Sequence, residues 1–233
     1  MDIALVTGAS SGIGLCVVEK LVGMNYKVYG FARDFAKTAF THVKFFPMVC
    51  DVTDTNMLVN QTQALLKETG RLDVLVNNAG VGFFGPHETI HPEKIERMVK
   101  TNLLAPMVLI QVTLRHLKKS EGFIINMAST AALEPGRFGG AYGATKAGLH
   151  QFGQSLFAEV RKSGVRVVTL YPDMTMTPFY DETDFAPHND HTCHITPECV
   201  ADAVAQAINQ REGTVITQIV LKPQRIGVER KRN

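Results

Sequence analysis

No apolar run in this chain reaches the ~18 residues that a membrane-crossing helix needs, so a membrane protein is not expected. No signal peptide precedes the first strand, which begins within two residues of Met1, and a reducing, cytoplasmic setting is the expectation. Charge of one sign is also lacking. With 24 Lys and Arg against 22 Asp and Glu, the net is +2. Neither nucleic acid nor a membrane surface is therefore expected as a partner. Cysteine is scarce: Cys16, Cys50, Cys193 and Cys199 show no metal-type pairing, and Cys16 and Cys50 fall in apolar runs as small core residues. The segment His188 to His194 offers His, Asp and Cys side chains, but no second cluster completes a metal site, so a polar lid is expected and no metal. Hairpin signals, internal repeats, low-complexity stretches and a second-domain boundary are all missing. One domain over 1–233 is expected, ending in a basic, solvated tail at 223–233.

What is present is a core. The 45% hydrophobic and 20% charged content is that of a globular protein. Short apolar runs at 3–7, 27–31, 44–49, 74–76, 122–127, 165–170 and 215–221 read as strands. Helical stretches fall between them at about 12–24, 54–69, 92–118, 141–162 and 197–210, with Pro106 kinking or interrupting the third. This alternation predicts an α/β fold: a doubly wound, Rossmann-like domain with a parallel sheet of about seven strands and helices on both faces. Residues 173–195 lack periodicity and read as a substrate lid.

Two stretches carry chemistry. Gly8, Gly12 and Gly14 follow the first strand and open the first helix, where glycine lets backbone approach a ligand and free N–H groups favour a pyrophosphate. At the end of the second strand Ala32 takes the place usual for a ribose-binding acid, and Arg33 comes next. An arginine there suits a 2′-phosphate, which favours NADP over NAD, although a one-residue slip would make Asp34 the ribose ligand. Further on, Tyr142 and Lys146 stand one helical turn apart on the same face. A phenol is a poor acid or base at neutral pH unless a cation stabilises its phenolate, and Lys146 is placed to be that cation.

These residues resemble the short-chain dehydrogenase/reductase family in its single-domain branch. The matches are Thr7 to Gly14, Asp51, Asn77-Asn78-Ala79-Gly80, Asn102, Ser129 and Tyr142-x-x-x-Lys146, in order over residues 3 to about 180. The resemblance implies that Tyr142 is the general acid/base and that Ser129 holds the substrate oxygen. It implies that Lys146 binds the nicotinamide ribose and lowers the Tyr142 pKa, and that Asn102 helps hold a proton-relaying water. It places Ser10, Ser11 and Ile13 with the loop glycines on the cofactor, Asp51 and Val52 at the adenine, Asn77, Ala79 and Gly80 along the ribose and pyrophosphate, and Pro172, Thr175 and Thr177 near the nicotinamide. It also implies a homodimer or homotetramer built on the 92–118 helix and the Tyr142 helix, whose Ala144, Ala147 and Gly148 allow close packing.

There are departures. Ser11 replaces the basic residue that NADP-preferring members often carry, and Asp173 follows Pro172 where members usually have glycine. The expected activity is NADP-dependent interconversion of a carbonyl and an alcohol on a small-molecule substrate. A catalytically silent nucleotide sensor is the alternative, opposed by Ser129, Tyr142 and Lys146 all being present. Phe83 and Phe84 in the 81–91 loop suggest an apolar pocket wall.

Overall fold

Ile3 and Leu5 face one side of the first strand, Ala4 and Val6 the other, and all four are buried. A strand covered on both faces needs a layer of helix on each. The computed structural model describes residues 1–231 and builds those layers. In chain order its elements are β1 (Ile3–Thr7), α1 (Gly12–Gly23), β2 (Lys27–Ala32), β3 (Phe45–Val49), α2 (Thr55–Thr69) and β4 (Val74–Asn77). After these come α3 (Pro92–Val99), α4 (Ala105–Ser120), β5 (Phe123–Met127), α5 (Gly140–Val160), β6 (Arg166–Pro172), β7 (Phe185–Pro187), α6 (Pro197–Ile208), β8 (Gln218–Leu221) and β9 (Val228–Arg230).

Seven strands pair in the order β3-β2-β1-β4-β5-β6-β8, every pair parallel. Helices α1 and α6 cover the Ala4 and Val6 side, with Val18, Leu21, Val200 and Val204 in that core. Helices α2, α4 and α5 cover the Ile3 and Leu5 side through Leu58, Leu65, Leu109, Leu117 and Leu156. This is a Rossmann-like sheet. The order reverses between β1 and β4, so the crevice at their carboxyl ends is where such sheets bind ligands.

Local chemistry sets the helix ends. Asp54 caps α2 by accepting from the Met57 amide at 3.0 Å, and Gly70 closes it in the left-handed region. Thr196 caps α6, with Pro197 in its first turn. The helix expected over 92–118 is interrupted, but the break comes before the proline. Lys100–Leu104 form a π-turn between α3 and α4. Pro106 lacks an N–H, and its ring would clash with the carbonyl four residues back, at Asn102; the wider turn accommodates both.

Two expectations need correction. The strand expected at 215–221 is shorter, spanning Gln218–Leu221, and it is followed by β9. The basic tail is not simply solvated. Its β9 pairs antiparallel with β7 inside the 173–195 lid, in the register Phe185 to Arg230 and Pro187 to Val228. The Lys231 amide bonds to the Asp184 carbonyl at 2.9 Å and the Lys231 ammonium to the Asp181 carbonyl at 3.1 Å. Arg232 of that tail lies outside the described residues. Among the described residues, no helix is long and apolar enough to cross a membrane.

Candidate active site

A cleft of about 570 Å³ lies across the carboxyl ends of the sheet, within the usual range for cofactor and small-molecule sites. The loop after β1 forms one wall. Gly8 and Gly12 adopt positive φ of 65° and 53°, and a Cβ on Gly14 would fall 2.0 Å from the Gly8 carbonyl oxygen. Only glycine permits that turn. Ser11 is extended and gives α1 no side-chain cap, which leaves first-turn N–H groups facing the cleft mouth.

Gly8, Ser10, Ser11, Gly12 and Ile13 line the cleft, together with Arg33, Asp51 and Val52. Arg33 faces it. Asp34 does not, because its carboxylate accepts the Ala36 amide at 2.8 Å and closes its own loop. Burial acts to raise the Asp51 carboxyl, but hydrogen bonds from the Thr53 amide and hydroxyl, helped by Arg33 and Arg97, bring it below its ordinary value.

In the Asn-Asn-Ala-Gly stretch, the residue turned to the cleft is Asn78 rather than Asn77. Asn77 is the last residue of β4, buried, with its side chain bonded to Asn126 of β5 at 2.9 Å. Asn78 donates to the Thr7 carbonyl at 2.9 Å and the Gly8 carbonyl at 3.3 Å, so it braces the glycine loop. Strand alternation holds the signal for this, since adjacent residues at a strand end face opposite ways. Ala79 and Gly80 line the cleft, whereas Gly14 packs beneath the loop.

Ser129 lies two residues beyond the end of β5 and caps the short turn Thr130–Ala132, its hydroxyl accepting the Ala131 amide at 3.2 Å. Tyr142 and Lys146, in the first two turns of α5, are both buried along the same cleft. Burial pushes the Tyr142 phenol up to about 12 against a smaller lowering by the Ser129 side chain. The lowering expected from Lys146 does not occur: its ammonium, 5.8 Å from the ring centroid, is turned to the Met127 carbonyl. Burial also brings Lys146 down to about 8. The Lys146 ammonium donates to the Met127 carbonyl at 2.8 Å. Asn102, fully buried in the π-turn, sits below this group. Its amide group donates to the Val81 carbonyl and the Thr145 hydroxyl, and its oxygen accepts the Val81 amide. The side chain thus ties the loop after β4 to α5.

The far wall comes from the segment after β6. Pro172, Asp173, Thr175 and Thr177 line it. The Thr177 hydroxyl caps the short turn Pro178–Tyr180, which sets Phe179 against Tyr142. Phe83 and Phe84 both line the cleft; Phe84 packs on Tyr142, and Lys94 and Arg97 lie over the Phe83 ring. Phe179 and Phe185 carry no periodic signal in a polar segment, so the pattern of the sequence does not mark them. The histidines of the lid are spread out: the His188 ring faces Glu229, and His194 bonds to the His188 carbonyl.

Comparison with known proteins agrees with this geometry. A family model described as short chain dehydrogenase matches residues 2–186. An uncharacterized oxidoreductase of Staphylococcus epidermidis is 31% identical over 95% of this chain and 96% of its own. The crystal structure of a metagenomic short-chain oxidoreductase in complex with NADP is 30% identical, with a TM-score of 0.80 over 95% of this chain and 96% of that one. An alcohol dehydrogenase from the archaeon Thermococcus sibiricus, complexed with 5-hydroxy-NADP, shares the fold at a TM-score of 0.87 and 24% identity over 96% and 97% of the two chains.

Proposed function

The chain belongs to the short-chain dehydrogenase family, an oxidoreductase family, and we propose that it interconverts a ketone or aldehyde and an alcohol using NADP. The observation that carries this reading is the convergence of Ser129, Tyr142 and Lys146 on a cleft whose other end is the glycine loop. The Gly14 contact, the uncapped start of α1 and the cleft-facing Arg33 suit a dinucleotide with a 2′-phosphate.

Gly8, Gly12 and Ile13 would cradle the pyrophosphate, Ser10 and Arg33 the 2′-phosphate, and Asp51 with Val52 the adenine. Lys146 would meet the nicotinamide ribose, with Thr175 and Thr177 beside the nicotinamide. When bound, the cofactor supplies the hydride. Ser129 holds the carbonyl oxygen, and Tyr142 gives it a proton as charge develops there. At neutral pH the phenol is protonated, the form that donates in the reducing direction, and burial makes it a weaker acid than a free tyrosine. Asn102 positions α5 and the loop after β4 relative to one another.

The test is NADPH oxidation against a panel of carbonyl compounds, with NADH in parallel. Reduction of at least one carbonyl with NADPH preferred supports the reading; a clear preference for NADH sinks the Arg33 argument. Exposed Val99, Leu104 and Ala144 favour assembly through the α3–α4 segment and α5 as a homodimer or homotetramer. Sedimentation showing only monomer at micromolar concentration contradicts that.

A further inference from the structure

The substrate end of the cleft is built of rings. The Tyr142 ring lies 5.2 Å from Phe84 and 5.9 Å from Phe179, centroid to centroid, and Phe84 meets Phe185 at 5.1 Å. These rings come from three separate stretches: the loop after β4, the turn capped by Thr177, and β7. Phe84, Phe179 and Phe185 are half-buried, so each keeps a face toward the cleft. Aromatic walls favour flat, apolar guests that stack or meet them edge-on.

Charge is segregated along the same cleft. Among the described residues lining it, the cations are Arg33, Arg97 and Lys146. Arg33 and Arg97 act on Asp51, at the β3 end of the sheet. Lys146 is buried and donates to the Met127 carbonyl. Around the rings the charged lining residues are Asp173, Asp181 and Glu182. The nearby Lys222 is held by Glu134 at 2.7 Å. The Lys231 ammonium, beside the same rings, is bonded to the Asp181 carbonyl at 3.1 Å. A substrate carboxylate at this end would lose water, find both nearby cations already engaged and face three carboxylates. Such an arrangement selects against a partner as effectively as a clash.

On the oxidoreductase reading above, we propose that the substrate is an uncharged carbonyl compound with an aryl or similarly broad apolar body beside the carbonyl, and that carboxylate-bearing substrates are excluded. Phe84 and Asp173 are then the specificity-determining pair: the first admits the apolar body and the second rejects the acid.

A matched pair of probes separates the two effects: an aryl 2-oxo acid and its methyl ester. Calorimetric binding is measured on the protein with and without saturating oxidised NADP, which leaves the carbonyl unreacted. The ester is expected to bind at least about tenfold tighter than the acid. Phe84→Ala should weaken the ester by about tenfold and leave the acid unchanged. Asp173→Asn should tighten the acid several-fold and leave the ester unchanged. Equal or tighter binding of the acid overturns the proposal, as does binding of neither probe. Turnover with NADPH on the same pair keeps the two readings apart. An ester that binds tightly but is never reduced contradicts the oxidoreductase reading and leaves the pocket assignment standing. An acid reduced as well as the ester does the reverse.

Discussion

Lys146 lies one helical turn beyond Tyr142, its ammonium 5.8 Å from the phenol ring centroid, and donates to the Met127 carbonyl at 2.8 Å. The cation held under the phenol is thus itself buried against β5, with no carboxylate partner among the described residues. Burial raises the phenol to about 12 and lowers the ammonium to about 8. Burial accounts for the lowered Lys146 and is the largest cause of the raised Tyr142, so holding this pair out of water costs stability.

Lys146→Met should therefore stabilise the fold at pH 7, by on the order of 1–3 kcal/mol, while abolishing activity. The sign follows from proton binding. Between the folded pKa of about 8 and the ordinary value near 10.5, the unfolded chain holds a proton that the folded chain has released. The Lys146 contribution thus makes stability rise with pH through that window. Tyr142 acts oppositely between 10 and about 12, where the folded chain keeps a proton that the unfolded chain has lost. Urea unfolding of both proteins from pH 7 to 10 checks this. The wild type should gain on the variant across the window, and a gap that stays constant would contradict it.

Two glycines of α1 should respond oppositely to alanine. Gly14→Ala sets a methyl 2.0 Å from a backbone oxygen and 2.5 Å from the Asn78 amide. It should cost more than about 3 kcal/mol or displace the loop and remove cofactor binding. Gly23→Ala meets nothing within 4 Å and should stabilise by about 0.5–1 kcal/mol. Thermal unfolding with a cofactor titration distinguishes them.

Arg33→Ala should raise the KM for NADPH by roughly 10- to 100-fold and leave that for NADH nearly unchanged, as expected for loss of a charge-assisted bond to a phosphate. Equal losses with both cofactors would mean that Arg33 supports the loop and does not read the phosphate.

Truncation after Gly227 removes β9 and with it the ladder that holds β7 and Phe185. Because β7 and β9 stand apart from the seven-stranded sheet, the melting temperature should change little. The KM for substrate should rise, with cofactor affinity retained. Kinetics and calorimetry on the truncated chain check both halves.

The sheet was legible because its central strands β1, β2, β4, β5 and β6 are buried on both faces and read as apolar runs. Gly8 and Gly12 stood out by their place between a strand and a helix, and Tyr142 and Lys146 by their one-turn spacing, whereas Ser129 was marked by the family resemblance alone. Asn78 was harder to pick out, since choosing between two adjacent asparagines requires knowing where β4 ends. The π-turn depends on how the chain resolves a conflict at Pro106, and no local pattern announces that choice. Phe185 and the pairing of β7 with β9 join residues some forty positions apart in two polar stretches. Only tertiary contact brings them together.

The central claim is that Tyr142 supplies the proton while the rest of the cleft binds cofactor. Tyr142→Phe tests it most directly, since it removes one hydroxyl and keeps the ring against Phe84 and Phe179. Turnover of a reduced carbonyl should fall by roughly 10²–10⁴-fold, with the dissociation constant for NADPH, measured by calorimetry, unchanged within about twofold. Near-wild-type turnover in a variant that binds NADPH normally would contradict the account.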